Sequence, residues 1–331
     1  MVGDKWYFAK QNVMKVPVIS IVGPTASGKS FVSHTLALRI INDLKIPSEI
    51  ISCDSVQVYR YFDIGTDKVP LSQRKEVTYH LIDILEPNEG RFSAGQFRKS
   101  FDEIVEGINS RGGVAIMVGG TGLYYKSVRV GFAEAPEANN EIRNELTRLA
   151  KEKGTDFLYD MLKKVDEIYA SKISKNDLKR IIRALEVFRL TGKQFSEIHS
   201  FSVPSRHKIY SFLMLPERRL LYERINERID KMIEKGLVDE VKWIIQNYGT
   251  EIYPLQSIGY KEMVEFLRGS ISLTQAIELI KRNTKNFAKR QITLFRHTPI
   301  DEVVYLNEIS ERTLVEVVEK IFEKVCEFLN C

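Results

Sequence analysis

The sequence predicts an α/β protein, a parallel β-sheet flanked by helices, with an all-helical insertion domain. Short apolar segments that end on glycine or polar residues recur along the chain and are followed by segments of helical period. From Gly131 to about Pro204 the apolar strands disappear and charged, helix-forming residues dominate; at Ile209 the strand pattern returns. We therefore expect a tail at residues 1–15, a core domain at 16–130 and 205–331, and an insertion domain at 131–204.

The composition is that of an ordinary globular protein and argues against several other classes. The 331 residues are 44% hydrophobic and 28% charged, and no apolar run approaches the roughly 20 residues that span a bilayer. The first fifteen residues lack the apolar segment of a secretion signal, so we expect a cytoplasmic protein with no membrane contact. We also expect a monomer. Three cysteines and five histidines lack the spacing of disulfide frameworks or protein-only metal sites. A net charge of +5 permits a polyanionic partner.

The strongest motif is a phosphate-binding loop after the first strand, which makes the core a P-loop NTPase-like sheet. The segment Val16 to Ser30 reads VPVISIVGPTASGKS and matches G-x-x-x-x-G-K-[ST]. A helix predicted from Lys29 to Ile41 would direct its free N–H groups and its dipole at the anion. We predict that Lys29 contacts the phosphates and that the Ser30 hydroxyl binds Mg²⁺. The expected diphosphate-binding residues of the loop are Gly23, Pro24, Thr25, Ala26, Ser27, Gly28, Lys29 and Ser30.

Two further strand ends carry candidate catalytic residues. The strand Glu49 to Cys53 ends on Asp54, and ligands of parallel sheets bind beyond the carboxyl ends of the strands. Asp54 is therefore the candidate base; a helix N-cap or an outer Mg²⁺ ligand is the alternative. The strand Val114 to Val118 is followed by glycines and Thr121, where ATP-hydrolysing P-loop proteins commonly carry an acidic Mg²⁺ ligand. This difference argues against an ordinary ATPase and makes Thr121 a candidate hydroxyl donor.

Basic pairs occur on two predicted helices. A helix from Asp177 to Leu190 carries Lys179 and Arg183 on one edge, four residues apart, and a solvated helix surface is the simpler interpretation. A helix from Pro216 to Lys235 carries Arg224 and Arg228, which could bind a diphosphate bidentately. Salt bridges to neighbouring glutamates are the alternative for this second pair.

The C-terminal third contains two candidate RNA-binding features. The segment Gln256 to Lys261 is predicted to be a loop that exposes Tyr260 beside a cation, which suits stacking on a base. The segment Lys281 to Arg296 has six basic residues and no acid. On a helical wheel its Lys281, Arg282, Lys285, Lys289 and Arg296 fall within an arc of about 100°, with Phe287, Ala288, Leu294 and Phe295 largely opposite. We interpret this basic stripe as a surface that follows a phosphate backbone.

Together these segments resemble one family closely, the tRNA dimethylallyltransferases, which attach an isopentenyl group to N6 of adenosine 37 beside the anticodon. The resemblance covers residues from about 16 to 296 in the family's order. Its motifs are GPTASGKS at Gly23–Ser30, DSVQVY at Asp54–Tyr59, DIGTDK at Asp63–Lys68, HLID at His80–Asp83, FSAGQF at Phe92–Phe97, GGTGLYY at Gly119–Tyr125, KRIIRALEV at Lys179–Val187, SIGYKE at Ser257–Glu262 and AKRQITLFR at Ala288–Arg296. The chain departs from the family pattern at Leu178-Lys179, where Pro-Gln is usual, and near Leu294, where Trp is usual.

The resemblance implies that the P-loop binds the diphosphate of dimethylallyl diphosphate, a leaving group, together with Mg²⁺. It implies that Lys29, Thr121 and Arg224 stabilise the charge that develops on the diphosphate, with Arg228 as a further contact, and that Asp54 accepts the proton of the attacking amine. The target adenine must leave its stack in the tRNA anticodon stem-loop. The implied tRNA contacts are Asp54, Ser55, Val56, Gln57, Thr121, Arg143, Lys179, Arg180, Ile181, Ile182, Arg183, Gln256, Ser257, Ile258, Gly259, Tyr260 and Lys261, and the basic stripe adds Lys281, Lys285 and Lys289.

Three alternatives remain at this point. A P-loop kinase would use Asp54 as the base for an acceptor hydroxyl. An isopentenyltransferase could act on a free adenine nucleotide, although the helical insertion and the basic stripe favour tRNA. An RNA-binding module with a vestigial P-loop would not need Lys29, Ser30, Asp54 and Thr121 to be intact.

Overall fold

The structure, a computed structural model, describes residues 17–133, 135–200, 202–203 and 205–329. The predicted tail at residues 1–15 lies outside this range. The chain forms two compact units: one comprises the residues up to Tyr125 together with those from Arg206 onward, and the other is Lys126–Ser205. The first unit contains the sheet and the P-loop.

Six strands of the first unit form one parallel sheet in the order β3-β2-β4-β1-β7-β8. The strands are β1 Pro17–Val22, β2 Ser48–Cys53, β3 Tyr79–His80, β4 Val114–Gly119, β7 Lys208–Pro216 and β8 Glu302–Leu306; the second unit adds the antiparallel pair β5 Phe132–Ala133 and β6 Ser202–Val203. β1 lies near the middle of the sheet, and every residue of it after Pro17 is buried, as is usual for a parallel strand covered on both faces. β8 was not predicted from the sequence.

Fourteen α-helices occur in the residues that the structure describes. They are α1 Lys29–Arg39, α2 Leu71–Glu76, α3 Ala94–Ser110, α4 Gly122–Arg129, α5 Asn140–Lys153, α6 Thr155–Val165, α7 Glu167–Ala170, α8 Leu178–Thr191, α9 Phe195–Ser200, α10 Arg218–Glu234, α11 Leu237–Tyr248, α12 Tyr260–Leu267, α13 Leu273–Arg296 and α14 Glu311–Leu329. A π-helical turn, Ile40–Leu44, follows α1, and a 3₁₀ turn, Tyr253–Gln256, precedes α12. None of the described helices is long and apolar enough to cross a bilayer.

Strand register brings the three candidate loops to one edge of the sheet. Val22 of β1 is paired with Gly119 of β4, and Gly119 is paired with Cys53 of β2. The residues that follow these three positions begin the P-loop, the Asp54 segment and the Thr121 turn. Sequence reasoning predicted this shared edge from the strand ends alone.

The main core packs the sheet against α1 and α14. Ile19, Ile21 and Leu36 are fully buried in it, together with Val318 and Ile321 of α14. α14 is therefore an integral layer of the P-loop unit.

The second unit has its own helical core. Leu146 of α5, Leu158 and Leu162 of α6, and Ile181 of α8 are fully buried against one another. Asn139 and Asp177 cap the first turns of α5 and α8 through their side chains, as short polar residues do at helix starts. The β5–β6 pair means that this unit is not entirely helical.

Candidate active site

The P-loop runs from the end of β1 into the first turn of α1. Gly28 caps that helix with φ +86°, a left-handed conformation that favours glycine. A Cβ atom at Gly28 would lie 2.8 Å from Cδ2 of Leu314, so α14 leaves no room for a side chain there. The loop therefore presents backbone and small side chains to a ligand at the helix N-terminus, which is the arrangement that binds phosphate.

Lys29 is buried inside this loop. Its ammonium donates hydrogen bonds to the Pro24 carbonyl and, at 3.3 Å, to the Ser27 hydroxyl, both neutral groups. Burial, the largest cause, and the nearby Arg228 guanidinium together lower the pKa of the Lys29 ammonium to about 7, against the opposing effect of Asp54. Among the described residues no carboxylate forms a salt bridge with Lys29, so an anionic ligand would compensate the charge of its protonated form.

Arg224 and Arg228 of α10 both contact the P-loop. Arg224 donates to the Ala26 carbonyl at 3.3 Å and to the carbonyl of Ile309 at 3.1 Å. Arg228 donates to the Thr25 hydroxyl at 3.0 Å and lies 3.4 Å from the Asp67 carboxylate. Among the described residues, neither arginine forms a salt bridge with the neighbouring glutamates of α10. Whether the two guanidinium groups reach a diphosphate stays a prediction.

The side chains of Asp54 and Thr121 both accept hydrogen bonds from backbone N–H groups of residues 55–57. Oδ1 of Asp54 accepts hydrogen bonds from the N–H groups of Val56 at 2.8 Å and Gln57 at 3.3 Å. Within the described residues no hydrogen bond goes to Oδ2, and Asp54 lines a cavity. The Thr121 hydroxyl oxygen accepts from the Ser55 N–H at 3.1 Å and keeps its own hydrogen for donation. Both side chains are therefore oriented by backbone groups.

The cavity beside Asp54 adjoins a second one, and they share Lys29, Ser30, Asp67 and Arg228. The first also has an apolar wall. Its other lining residues include Gln57, Thr66, Val69, Tyr79, Ile82, Val118, Gly120, Phe287 and Gln291. The second is lined by the P-loop from Ala26 to Phe31, by α10 from Arg224 to Lys235 and by the start of α14. The P-loop is thus accessible from two openings in the same unit.

Two α13 residues on this cavity were missed in the sequence. Phe287 was expected on the packed side of the helix, but it is 37% exposed and lines the cavity, so that expectation is wrong. Gln291, one turn later, is buried and bonds to both the P-loop and the glycine turn after β4. A lone amide on an otherwise apolar helix face, between Ala288 and Phe295, was the signal available for Gln291.

The expected exposure of Tyr260 is wrong. Tyr260 is the first residue of α12, is 1% exposed and packs on Phe62 with a ring-centroid distance of 4.6 Å. Its hydroxyl donates to Glu240 at 2.7 Å, and burial with this carboxylate raises the pKa of the phenol well above its ordinary value. The ring cannot stack on a base in this position. Its neighbours Gln256 and Lys261 are exposed, Ser257 and Ile258 are half-buried, and Gly259 is buried.

The same Glu240 holds the loop that carries Asp63 and Gly65. Its carboxylate accepts hydrogen bonds from three successive N–H groups, those of Asp63 at 3.0 Å, Ile64 at 2.6 Å and Gly65 at 3.1 Å. This loop continues to Thr66, whose carbonyl accepts from Arg228 at 3.2 Å and from the Gln57 amide at 3.2 Å. Glu240 therefore fixes a loop on the cavity, and the Gln57 side chain already has a protein partner.

One lysine of the basic stripe of α13 is already in an ion pair. Lys285 is half-buried and Lys289 is exposed, whereas Lys281 forms a 2.6 Å ion pair with Asp230 of α10. Arg282 and Arg296 are exposed. Lys281 accordingly contributes less net positive charge than the helical wheel predicted.

In the second unit, several predicted RNA-binding side chains are already engaged. Glu186 is fully buried and accepts from Arg143 at 2.8 Å and from Arg183 at 2.6 Å, so three charges partly cancel. Ile181 and Ile182 are buried in the helical core, and their side chains cannot contact a ligand. Lys179 and Arg180 are exposed at the start of α8 and stay candidates.

The residues around Ser30 carry oxygen atoms that could bind a divalent cation, but those that the structure describes form no protein-only metal site. In the described part of the chain no group of three His, Cys, Asp or Glu residues could hold a metal ion. Ser30 is exposed and lines both cavities, with Asp54 and Asp67 on the first. Such a set fits Mg²⁺, which binds through few protein oxygens and keeps phosphate and water ligands.

The sheet is parallel, and a P-loop lies at the end of its β1 strand. A glycine-threonine turn takes the place of an acidic residue after β4. Together these features define a phosphate-binding P-loop protein. The chain belongs to the IPP transferase family, whose model matches residues 57–298. The resemblance seen in the motifs and the predicted fold class are both confirmed.

Relatives and solved structures agree with this assignment. The chain is 49% identical over 290 residues to a tRNA dimethylallyltransferase of Carboxydothermus hydrogenoformans, covering 86% of this chain and 91% of that one. It is similar to a crystal structure of a tRNA isopentenylpyrophosphate transferase from Bacillus halodurans, with a TM-score of 0.65 and 34% identity, covering 96% of this chain and 100% of the other. It is also similar to a eukaryotic dimethylallyltransferase described as acting on tRNA, with a TM-score of 0.72 and 26% identity, covering 89% of this chain and 75% of the other.

Proposed function

We propose that this chain transfers the dimethylallyl group of dimethylallyl diphosphate to N6 of adenosine 37 in tRNA. The observation that carries the proposal is the P-loop at one sheet edge with Asp54, beside a turn that lacks an acidic residue. The names of the relatives, tRNA dimethylallyltransferases, support the same reaction. The products are N6-isopentenyladenosine and diphosphate.

The donor's diphosphate binds at the P-loop. The buried Lys29 ammonium and the N–H groups at the start of α1 stabilise its negative charge, and Arg224 and Arg228 lie against the same loop. This stabilisation increases as the allylic C–O bond breaks and its electron pair goes to the diphosphate oxygen, so it favours the transition state. Val69, Ile82 and Val118 provide an apolar surface for the five-carbon group.

Mg²⁺ is proposed as the cofactor. The Ser30 hydroxyl would hold it together with diphosphate oxygens, and when bound it neutralises diphosphate charge. Asp54 and Asp67, which line the same cavity, offer further oxygen atoms directly or through water.

Asp54 acts on the acceptor. The adenine N6 nitrogen forms a bond to the allylic carbon while the carbon–oxygen bond breaks, and Asp54 accepts the proton that N6 loses. The contacts of Asp54 support this role, because backbone N–H groups hold Oδ1 and no hydrogen bond from the described residues goes to Oδ2. The Thr121 hydroxyl, oriented by Ser55, is the proposed donor to the diphosphate or to the base.

Cations of each unit are proposed to bind the anticodon stem-loop. In the first unit these are the half-buried Lys285 and the exposed Lys289 and Lys261; in the second they are the exposed Lys179 and Arg180. We propose that the enzyme is a monomer and that it works where its tRNA substrate is, in the cytoplasm.

One assay separates the proposal from its alternatives. The protein is incubated with radiolabelled dimethylallyl diphosphate or with ATP, each with unmodified tRNA, AMP or no acceptor. We expect label only in tRNA and no ATP consumption, with adenosine 37 as the labelled nucleoside. Consumption of ATP would indicate a kinase, and transfer to AMP would indicate an enzyme of free nucleotides.

A further inference from the structure

The side-chain amide of Gln291 lies between the two loops of the proposed site. Its Oε1 accepts a hydrogen bond from the Thr25 N–H of the P-loop at 3.0 Å, and its Nε2 donates to the Gly120 carbonyl at 2.8 Å. One partner can only donate and the other can only accept, so they fix the orientation of the amide. With 6% of its surface exposed, Gln291 is buried at the cavity wall.

The space around this amide leaves no room for a side chain at position 120. A Cβ atom at Gly120 would lie 2.3 Å from Nε2 of Gln291, so any other residue at position 120 would displace the amide. The glycine thus allows α13 to approach the turn after β4 closely. A buried amide whose two hydrogen bonds are both made is costly to remove, since its partners would be left unpaired.

The connection continues from the turn to the candidate base. The Thr121 N–H donates to the Cys53 carbonyl at 3.1 Å, and the Thr121 hydroxyl accepts from the Ser55 N–H at 3.1 Å. These bonds hold the residues on either side of Asp54. A continuous series of hydrogen bonds therefore runs from the P-loop through Gln291 and the glycine turn to the Asp54 segment.

We propose that Gln291 is a positioning residue that sets the distance between the leaving-group site and the candidate base. The proposal rests on the proposed function, because it is the transfer reaction that requires the diphosphate and the attacking amine to be held in line. Gln291 touches neither proposed reacting group and acts through the Thr25 and Gly120 backbone. Displacements of about 1 Å caused by remote mutations can lower rates by about 10²-fold.

The primary test is Gln291→Met, which keeps the length of the side chain and removes both hydrogen bonds. We expect kcat for tRNA prenylation to fall by about 10²-fold, with the KM for tRNA changed by less than about threefold. Gln246→Met, at an exposed glutamine of α11, is the matched control and should keep the wild-type kcat. Gln291→Glu is measured in parallel because it keeps the acceptor for Thr25 but loses the donor to Gly120. Melting curves of each variant identify any that do not fold.

A double-mutant cycle with Gly120→Ala separates positioning from general loss of stability. The added Cβ atom would displace the Gln291 amide, so if Gln291 acts through the Gly120 backbone, the double variant should lose little more kcat than the worse single variant. Full kcat in a folded Gln291→Met or Gln291→Glu variant, or losses that multiply in the double variant, would overturn the inference. Absence of transfer by the wild-type protein would instead remove the proposed function.

Discussion

Tyr260 donates a 2.7 Å hydrogen bond to Glu240, the carboxylate that also accepts from three backbone N–H groups of the loop beginning at Asp63. A residue expected to stack on RNA is thus part of the support of a loop on the cavity. The support is indirect, because Glu240 binds the loop and Tyr260 binds Glu240.

Tyr260→Phe should lower the free energy of unfolding by about 2 kcal/mol, since it removes a buried hydrogen bond to a charged group. The KM for tRNA should stay unchanged. Denaturant unfolding and steady-state kinetics measure the two effects, with Tyr253→Phe, at an exposed tyrosine, as the control. A higher KM without loss of stability would mean that Tyr260 turns outward to bind RNA.

Diphosphate affinity should depend on pH through Lys29. The pKa of the free protein's Lys29 is about 7, and a bound diphosphate raises it because the anion stabilises the charged form. Below pH 7 Lys29 is charged in both the free and the bound protein, so its titration should not affect the affinity. Above pH 7 the affinity should decrease as the pH rises, because binding must then take up a proton. Calorimetry from pH 6 to 9 measures this slope. Lys29→Met should remove it, leaving only the titration of diphosphate itself; equal slopes in both proteins would contradict the assignment.

Asp54→Asn should lower kcat by about 10²–10⁴-fold with little change in tRNA affinity. The asparagine oxygen can still accept from Val56 and Gln57, so the variant removes the base while it preserves the local turn. Single-turnover transfer and tRNA binding are the measurements, and Asp239→Asn, at an exposed carboxylate of α11, is the control. Nearly normal turnover would show that Asp54 serves only as a cap.

The salt dependence of tRNA binding should distinguish the lysines of α13. Lys285→Gln and Lys289→Gln should each reduce the slope of log K against log salt concentration by about one. Lys281→Gln should change it less, because Lys281 is paired with Asp230. Filter binding between 50 and 300 mM salt, about the range in which counterion release dominates, resolves these slopes. Three equal changes would mean that the ion pair opens when RNA binds.

The helical unit should lose stability in acid through Glu186. Hydrogen bonds from Arg143, Arg183 and the Asn139 N–H outweigh the effect of burial and lower the pKa of this carboxyl below its ordinary 4.5. The stabilisation is complete above pH 4.5 and is lost as the pH falls through the folded-state pKa. Glu186→Ala should cost about 1–3 kcal/mol, since the Asn139 N–H and two partly exposed arginines lose their partner. Hydrogen exchange of α5 and α8 against pH measures both effects; exchange unaffected by the substitution would contradict them.

The parts that sequence reasoning predicted correctly depend on local pattern. The strand before Gly23, the helix after Lys29 and the position of Asp54 at a strand end follow from apolar periodicity and from the topology of parallel sheets. Register then brings Asp54 and the Thr121 turn to one edge without further information.

The parts that were missed depend on contacts between distant residues. Gln291 meets Thr25 across 266 positions and Gly120 across 171, and Glu240 meets Asp63 across 177. Local period shows that Gln291 lies on the buried face of a helix but does not give its partners. Phe287 was placed wrongly because a helical wheel does not show which of its faces the rest of the fold covers. Tyr260 was placed wrongly because the segment predicted as a loop begins α12 at Tyr260, and its packing partner Phe62 is distant in the sequence.

The contact between Gly28 and Leu314 also bears on biosynthesis. The P-loop is synthesised long before α14, the helix that packs on it. Ile309, whose carbonyl accepts from Arg224, is likewise synthesised long after the loop. The nascent chain therefore has the complete phosphate-loop sequence long before it has the packing around that loop. The contacts around the loop are completed only after α14 has been synthesised.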